Sequence, residues 1–127
     1  MAHPPSPRFI MEFESTFILP GINRLLRMHW AVRKKLQAQL VEHIQNNHDC
    51  TPIEGPVIVD YLRRSVRLMD CDNACGSFKL LGDALVQCGI LKDDNPSIIE
   101  EFNPDQEKVS KRVDQGFRLV IRRAHSV

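Results

Sequence analysis

Apolar residues recur along this chain with two different periods. Met11, Phe13, Phe17 and Leu19 fall on one side of an extended segment, with Glu12, Glu14 and Thr16 on the other. That alternation predicts a strand with one buried face. Pro20-Gly21 breaks it. From about Arg24 to Gln45 the step changes to three and four residues, through Leu25, Met28, Val32, Leu36, Leu40 and Ile44. This spacing predicts a long helix with one core-facing stripe. Arg33-Lys34-Lys35 falls largely off the stripe, and Trp30 is read as a packing residue in preference to a base-stacking platform. Asn46-Asn47-His48-Asp49 ends the helix, and Pro52 to Pro56 is a connector.

Val57 to Leu62 is nearly continuous in apolar, β-branched and aromatic residues, which predicts a central strand covered on both faces. A second helix is expected from about Asn73 to Cys88, with Phe78, Leu81, Leu85 and Cys88 along one side. Gly76 and Gly82 weaken it, and Gly89 stops it. Ser97 to Phe102 reads as a strand, and polar Asn103 to Gln115 as a mobile hairpin loop. In the last strand Phe117, Leu119 and Ile121 alternate with Arg118, Val120 and Arg122. The expected fold class is α+β in the order β-α-β-α-β-β, with hairpin pairing at the end. Two helices would pack on one face of a mixed four- to five-stranded sheet, the other face being partly open.

Composition narrows this further. A chain of 127 residues with 43% hydrophobic and 26% charged residues suits a single globular domain. Met1 to Arg8 is proline-rich and expected to be disordered, leaving residues 9–127 as the folded unit. No apolar run approaches the roughly 20 residues of a membrane span, and no signal peptide is visible. The expectation is therefore a cytoplasmic protein without a membrane partner. Four cysteines without Cys-x-x-Cys spacing read as reduced thiols, with no zinc expected.

The net charge of +1 does not advertise nucleic acid. Arginine and lysine nevertheless cluster at Arg24, Arg27 and Arg33 to Lys35, at Arg63, Arg64 and Arg67, and at Lys111, Arg112, Arg118, Arg122 and Arg123. Each cluster alone is more often a solvated face. Several around an acidic centre suit a phosphate backbone.

That acidic centre begins at Asp70-Cys71-Asp72-Asn73. Asp70 and Asp72, one residue apart, leave the same face of an extended segment. Carboxylates so close repel unless a proton or cation lies between them; a hard divalent ion, Mg²⁺ or Mn²⁺, is the natural occupant. Asp93-Asp94, in the turn beyond the second helix, offers more oxygens, and the two residues are indistinguishable by position. A turn plus a helix cap is the plainer reading, but this many acids exceed what capping requires. A calcium-binding EF-hand loop fails, because Cys75 and Leu81 stand where it needs Gly and Glu. Lys79 is either simply solvated or paired with Asp83 one turn on. Asp83 itself is open between metal ligand, partner of Lys79 and surface residue.

The order Asp70-Cys71-Asp72-Asn73, Lys79, Asp83-Ala84-Leu85, Gly89-Ile90-Leu91-Lys92-Asp93-Asp94 resembles the RusA family of Holliday junction resolvases. Leu19-Pro20-Gly21-Ile22-Asn23-Arg24 is similar to that family's early Pro-rich Asn-Arg segment. The spacing from Lys79 to Asp83 and Asp94 fits, whereas Ala74-Cys75-Gly76-Ser77-Phe78 makes the step from Asn73 to Lys79 a few residues longer. The resemblance implies a Mg²⁺-dependent endodeoxyribonuclease that resolves four-way junctions in DNA recombination and repair, in a bacterial or phage-infected cell. Asp70, Asp72 and Asp94 would be catalytic ligands of the metal, with Asp93 beside them and Asp83 and Asn73 in support. Lys79 would offset charge growing on the phosphoryl oxygens, and in-line attack of water would leave 5′-phosphate ends. Arg24, Arg27, Arg63, Arg64 and Arg67 are the expected phosphate contacts. Asn23 either positions DNA or caps a helix. Paired symmetric nicks in a nearly two-fold junction call for a symmetric homodimer. Two alternatives are a catalytically impaired branched-DNA binding protein of phage origin and a metal-dependent sugar transferase, for which the chain is small.

Overall fold

Four strands, β1 (Phe9–Ser15), β2 (Val57–Ser65), β3 (Ile99–Lys108) and β4 (Gly116–Arg123), form one mixed sheet in the spatial order β1-β4-β2-β3. The computed structural model describes residues 9–124; the segment 1–8, expected to be disordered, lies outside them. Strand β4 runs antiparallel to both β1 and β2, and β2 runs parallel to β3. Four helices complete the α+β fold: α1 (Ile22–Arg27), α2 (Trp30–Asn47), α3 (Cys71–Gly76) and α4 (Phe78–Gln87).

The sheet is two-sided because its strands alternate. Met11 and Phe13, Val57, Val59 and Tyr61, and Phe117, Leu119 and Ile121 share one buried face with the apolar side chains of the helices. The opposite face carries charges that neutralise one another across strands. Arg118 meets Glu12 at 2.6 Å, Arg64 meets Glu14 at 3.1 Å and Glu107 at 3.4 Å, and Arg122 meets Asp60 at 3.0 Å. Strand β2 is central in the sheet but covered on one face only, contrary to expectation. Its alternate residues Ile58, Asp60, Leu62 and Arg64 are half-buried.

Each expected helix is broken in two. Between α1 and α2, Met28 and His29 turn extended, and His29 Nδ1 accepts the N–H of Ala31 at 3.1 Å as an N-cap. The restart rotates the apolar stripe. Leu25, Leu40, Val41 and Ile44 are buried, but Val32 is 55% and Trp30 70% exposed, so Trp30 is not a packing residue. Between α3 and α4 the pivot is Ser77, fully buried, whose Oγ donates to the Ala74 carbonyl and pairs with Tyr61 Oη at 2.6 Å. Its partner on β2 holds the hydroxyl where it competes with regular helix. Helix α4 buries Phe78, Leu80, Leu81, Ala84 and Leu85, each large side chain contributing about 1.5–3 kcal/mol before entropy is counted. Gly89, at φ 81°, ends it in the left-handed conformation that glycine adopts most readily.

The carboxyl-terminal half departs most from expectation. No terminal hairpin forms: β4 inserts between β1 and β2, while β3 adds to the far edge in parallel. Strand β3 is also longer than Ser97 to Phe102, running through residues read as loop. An edge strand tolerates Pro104, and its mostly exposed side chains leave no apolar period to detect. The first strand stops at Ser15, whose Oγ meets His43 Nε2 of α2 at 2.6 Å.

Candidate nucleic-acid interface

The two sequence segments that carry the resemblance meet through one asparagine. Asp70, extended just before α3, accepts the N–H of Asn73 on Oδ1 at 2.9 Å, an N-cap. Asn73 in turn accepts the N–H of Asn23 on its own Oδ1 at 3.0 Å. The approach is close enough that a Cβ on Gly21 would overlap the Asn73 carboxamide, and one on Gly76 would overlap Ile22. Glycine at both positions therefore lets α1 sit on α3. Asp72, in the first turn of α3, is exposed and makes no hydrogen bond or ion pair among the described residues.

Lys79, Asp83 and Asp94 form a second group. Lys79 Nζ lies 3.0 Å from Asp83 Oδ1 and 3.8 Å from Asp94 Oδ2. The hydrogen bond to Asp83 raises the Lys79 pKa and outweighs the lowering by burial, with the charges of Asp83 and Asp94 adding to the rise and that of Arg33 opposing it. Of the roles open for Asp83, the structure shows the partner of Lys79. The neighbouring acids divide their work: Asp93 accepts the Asp94 N–H at 2.7 Å and the Asn95 amide at 2.9 Å, building the turn that turns Asp94 toward α4.

These acids do not converge. Among the described residues, no three His, Cys, Asp or Glu side chains are placed to hold one metal ion, whereas Mg²⁺ requires oxygens about 2.0–2.1 Å from a common centre. An Asp70 oxygen is committed to its cap, and the Lys79 ammonium already supplies positive charge beside Asp83 and Asp94. As arranged, Asp70, Asp72 and Asp94 do not fit a shared Mg²⁺, and no chemical step is drawn through one.

The basic residues divide between two sides of the sheet. Asn23, Arg24, Arg27, Arg63 and Asn73 line a single cleft of about 480 Å³. Arg24 and Arg27 are exposed, and Arg27 Nε donates to the Asn23 carbonyl at 3.3 Å. Arg63 is buried and donates from Nε to the Leu19 carbonyl at 3.0 Å. Arg64, its neighbour along the strand, points to the opposite face, where Glu14 and Glu107 hold it. Arg67 is exposed in the loop after β2.

Sequence reasoning missed the residues that place this loop. Gln106 of β3 donates to the Met69 carbonyl at 2.8 Å and accepts the Met69 N–H at 3.0 Å. Gln115 accepts the N–H of Val66 at 3.1 Å. Two glutamines thus fix the segment that leads into Asp70, and both lie in stretches whose polarity reads as loop. Tyr61, which holds Ser77 between α3 and α4, is read only as part of an apolar strand; burial pushes its phenol pKa up to about 12. No protein-family model matches this sequence, and no curated protein matches it.

Proposed function

We propose that the chain is a structure-specific endodeoxyribonuclease of the RusA type, acting on Holliday junctions and branched DNA, with Mg²⁺ held by one or two of its carboxylates and the DNA phosphates and not by Asp70, Asp72 and Asp94 together. One observation carries the reading: the Asn23–Asn73 hydrogen bond, with its cap to Asp70, joins both halves of the quoted motif beside an arginine-lined cleft. Exposed arginines suit phosphate contacts that position a duplex without reading its sequence. Lys79 presents a cation that a phosphodiester's developing charge would find favourable. Paired nicks require two copies of the chain, so the functional unit is a homodimer working in a bacterial or phage-infected cytoplasm.

The second reading is a branched-DNA binding protein that has lost cleavage. The separation of Asp70 from the Lys79–Asp94 group favours it. A gel-shift series on a four-way junction and a linear duplex of equal length, without metal and then with Mg²⁺, separates the two. Junction preference plus strand cleavage supports the nuclease, junction preference without cleavage supports the binding protein, and equal affinity for both DNAs counts against either.

A further inference from the structure

Arg63 is a buried cation with no counter-ion among the described residues. It is 6% exposed on the helix-facing side of β2. Its guanidinium offers five N–H donors in one plane. Nε is taken by the Leu19 carbonyl, while Nη1 is buried with no hydrogen-bond partner. No carboxylate pairs with Arg63 among the described residues, whereas Arg64 next to it holds two. Burial accordingly lowers the Arg63 pKa, opposed only by the Tyr61 hydroxyl. A buried charge is thus left with an unsatisfied donor and no opposite charge beside it, so the site is incomplete as it stands.

What would complete it is visible around it. The cleft that Arg63 lines also contains Arg24 and Arg27 and has no carboxylate in its walls. The Asn73 amide, its oxygen occupied by the Asn23 N–H, keeps its NH₂ donors free for a ligand. Met28 and Leu36 supply apolar wall, and a volume of about 480 Å³ lies in the range of roughly 300–1,000 Å³ found for ligand sites.

We infer that this cleft binds a phosphate oxyanion, with Arg63 at its base and Arg24, Arg27 and Asn73 around it. The oxyanion belongs either to a polynucleotide backbone or to a small phosphorylated molecule. The polynucleotide source rests on the proposed DNA-binding function; the oxyanion site itself does not, and it needs neither cleavage nor a metal. With Nε held by Leu19, the remaining Nη donors of Arg63 are left for a phosphate oxygen.

The test uses the full chain without Mg²⁺, titrated with inorganic phosphate in exchange for chloride at constant ionic strength. The readouts are Tm and the Nε–H resonance of Arg63. Phosphate is expected to raise Tm saturably and shift that resonance. Arg63→Met should weaken the response about tenfold or more, as loss of a charge-assisted hydrogen bond does. Should Arg63→Met fail to fold, the double variant Arg24→Gln/Arg27→Gln, altered only at exposed positions, should still weaken it several-fold. A response no different from chloride, or folded variants that bind phosphate like the parent, overturns the inference. A short single-stranded oligonucleotide competing for the site identifies the polynucleotide source, and phosphate binding without competition identifies a small phosphorylated ligand; either upholds the oxyanion site. Loss of junction cleavage with intact phosphate binding would remove the nuclease reading and leave this one standing.

Discussion

Asn73 accepts the backbone N–H of Asn23 on its side-chain oxygen at 3.0 Å, across 50 residues of sequence. Its own N–H is donated to Asp70. One carboxamide therefore couples the loop after β1 to the start of α3. Gly21→Ala should break that coupling. The obstacle is the end of a side chain, which swings aside and forfeits a hydrogen bond worth about 1 kcal/mol. Gly76→Ala meets Ile22 at its Cβ and Cγ2, and the Cβ cannot move without the backbone. Overpacking costs about 1–3 kcal/mol, and the gain in helix propensity returns about 1 kcal/mol. Urea melts should show both variants destabilised, and junction binding should fall with Gly21→Ala. Binding by Gly21→Ala equal to that of the parent would show that the coupling does not serve the interface.

Asp70 can be tested as a cap and as a charge separately. Asparagine caps helices about as well as aspartate, whereas alanine costs about 0.5–2 kcal/mol. Asp70→Asn should therefore keep the melting temperature while Asp70→Ala lowers it. If the carboxylate is catalytic, both lose cleavage by orders of magnitude and retain junction binding. Asp70→Asn cutting at the parent rate leaves Asp70 as a cap alone.

Lys79 and Asp83 make a largely solvated pair, and exposed helix pairs are worth about 0.3–0.5 kcal/mol. Asp83→Asn should hardly change thermal stability at neutral pH. It should, however, bring the Lys79 pKa down, since the bond to Asp83 is the chief cause of its elevation. The direction fixes the pH window. The raised pKa of a base stabilises the fold below the ordinary lysine value and ceases to do so as pH rises through the elevated one. NMR titration of the Lys79 ammonium reads the shift, and an unchanged midpoint in Asp83→Asn would contradict it. Lys79→Met should cut junctions more slowly with little loss of binding.

Tyr61 is the sole tyrosine, so the phenolate absorbance reports it alone. Its hydroxyl pairs with Ser77 at 2.6 Å, and burial raises its pKa from 10.0 to about 12. The unfolded chain releases this proton first. Stability from this group is therefore complete below pH 10.0 and declines as pH climbs toward about 12. A shift of that size corresponds to roughly 2–3 kcal/mol. Denaturant melts at rising alkaline pH should show the decline in the parent and a shallower one in Tyr61→Phe. A phenolate midpoint near the free value in the folded protein would refute the assignment.

The buried face of the fold was legible wherever a strand or helix keeps its period. Met11 and Phe13, Leu40 and Ile44, and Phe117, Leu119 and Ile121 all lie in the core. The helix breaks were not legible, because each depends on a contact beyond the local pattern. His29 caps Ala31, and Ser77 finds Tyr61 on another element. Strand β3 escaped notice because ladder bonds to β2, rather than apolar burial, hold it at the edge. For the candidate site, spacing offered the Lys79–Asp83 pair as one of three roles for Asp83 and placed Asn23 near basic neighbours. Nothing in the spacing distinguished Arg63 from Arg64, although adjacency in a strand sends one beneath the helices and the other into a charged ladder. Convergence was expected of Asp70 and Asp72 because adjacent carboxylates invite a cation, and of Asp94 because the resemblance implies a ligand there. Instead the cap and Lys79 engage two of them.

Mapping the nicks on a mobile four-way junction, alongside a linear duplex and with or without Mg²⁺, tests the proposed activity most directly. The account predicts paired, symmetrically placed nicks with 5′-phosphate ends, on the junction alone and only with Mg²⁺. No nick on the junction under any metal condition would contradict it, whatever the binding preference.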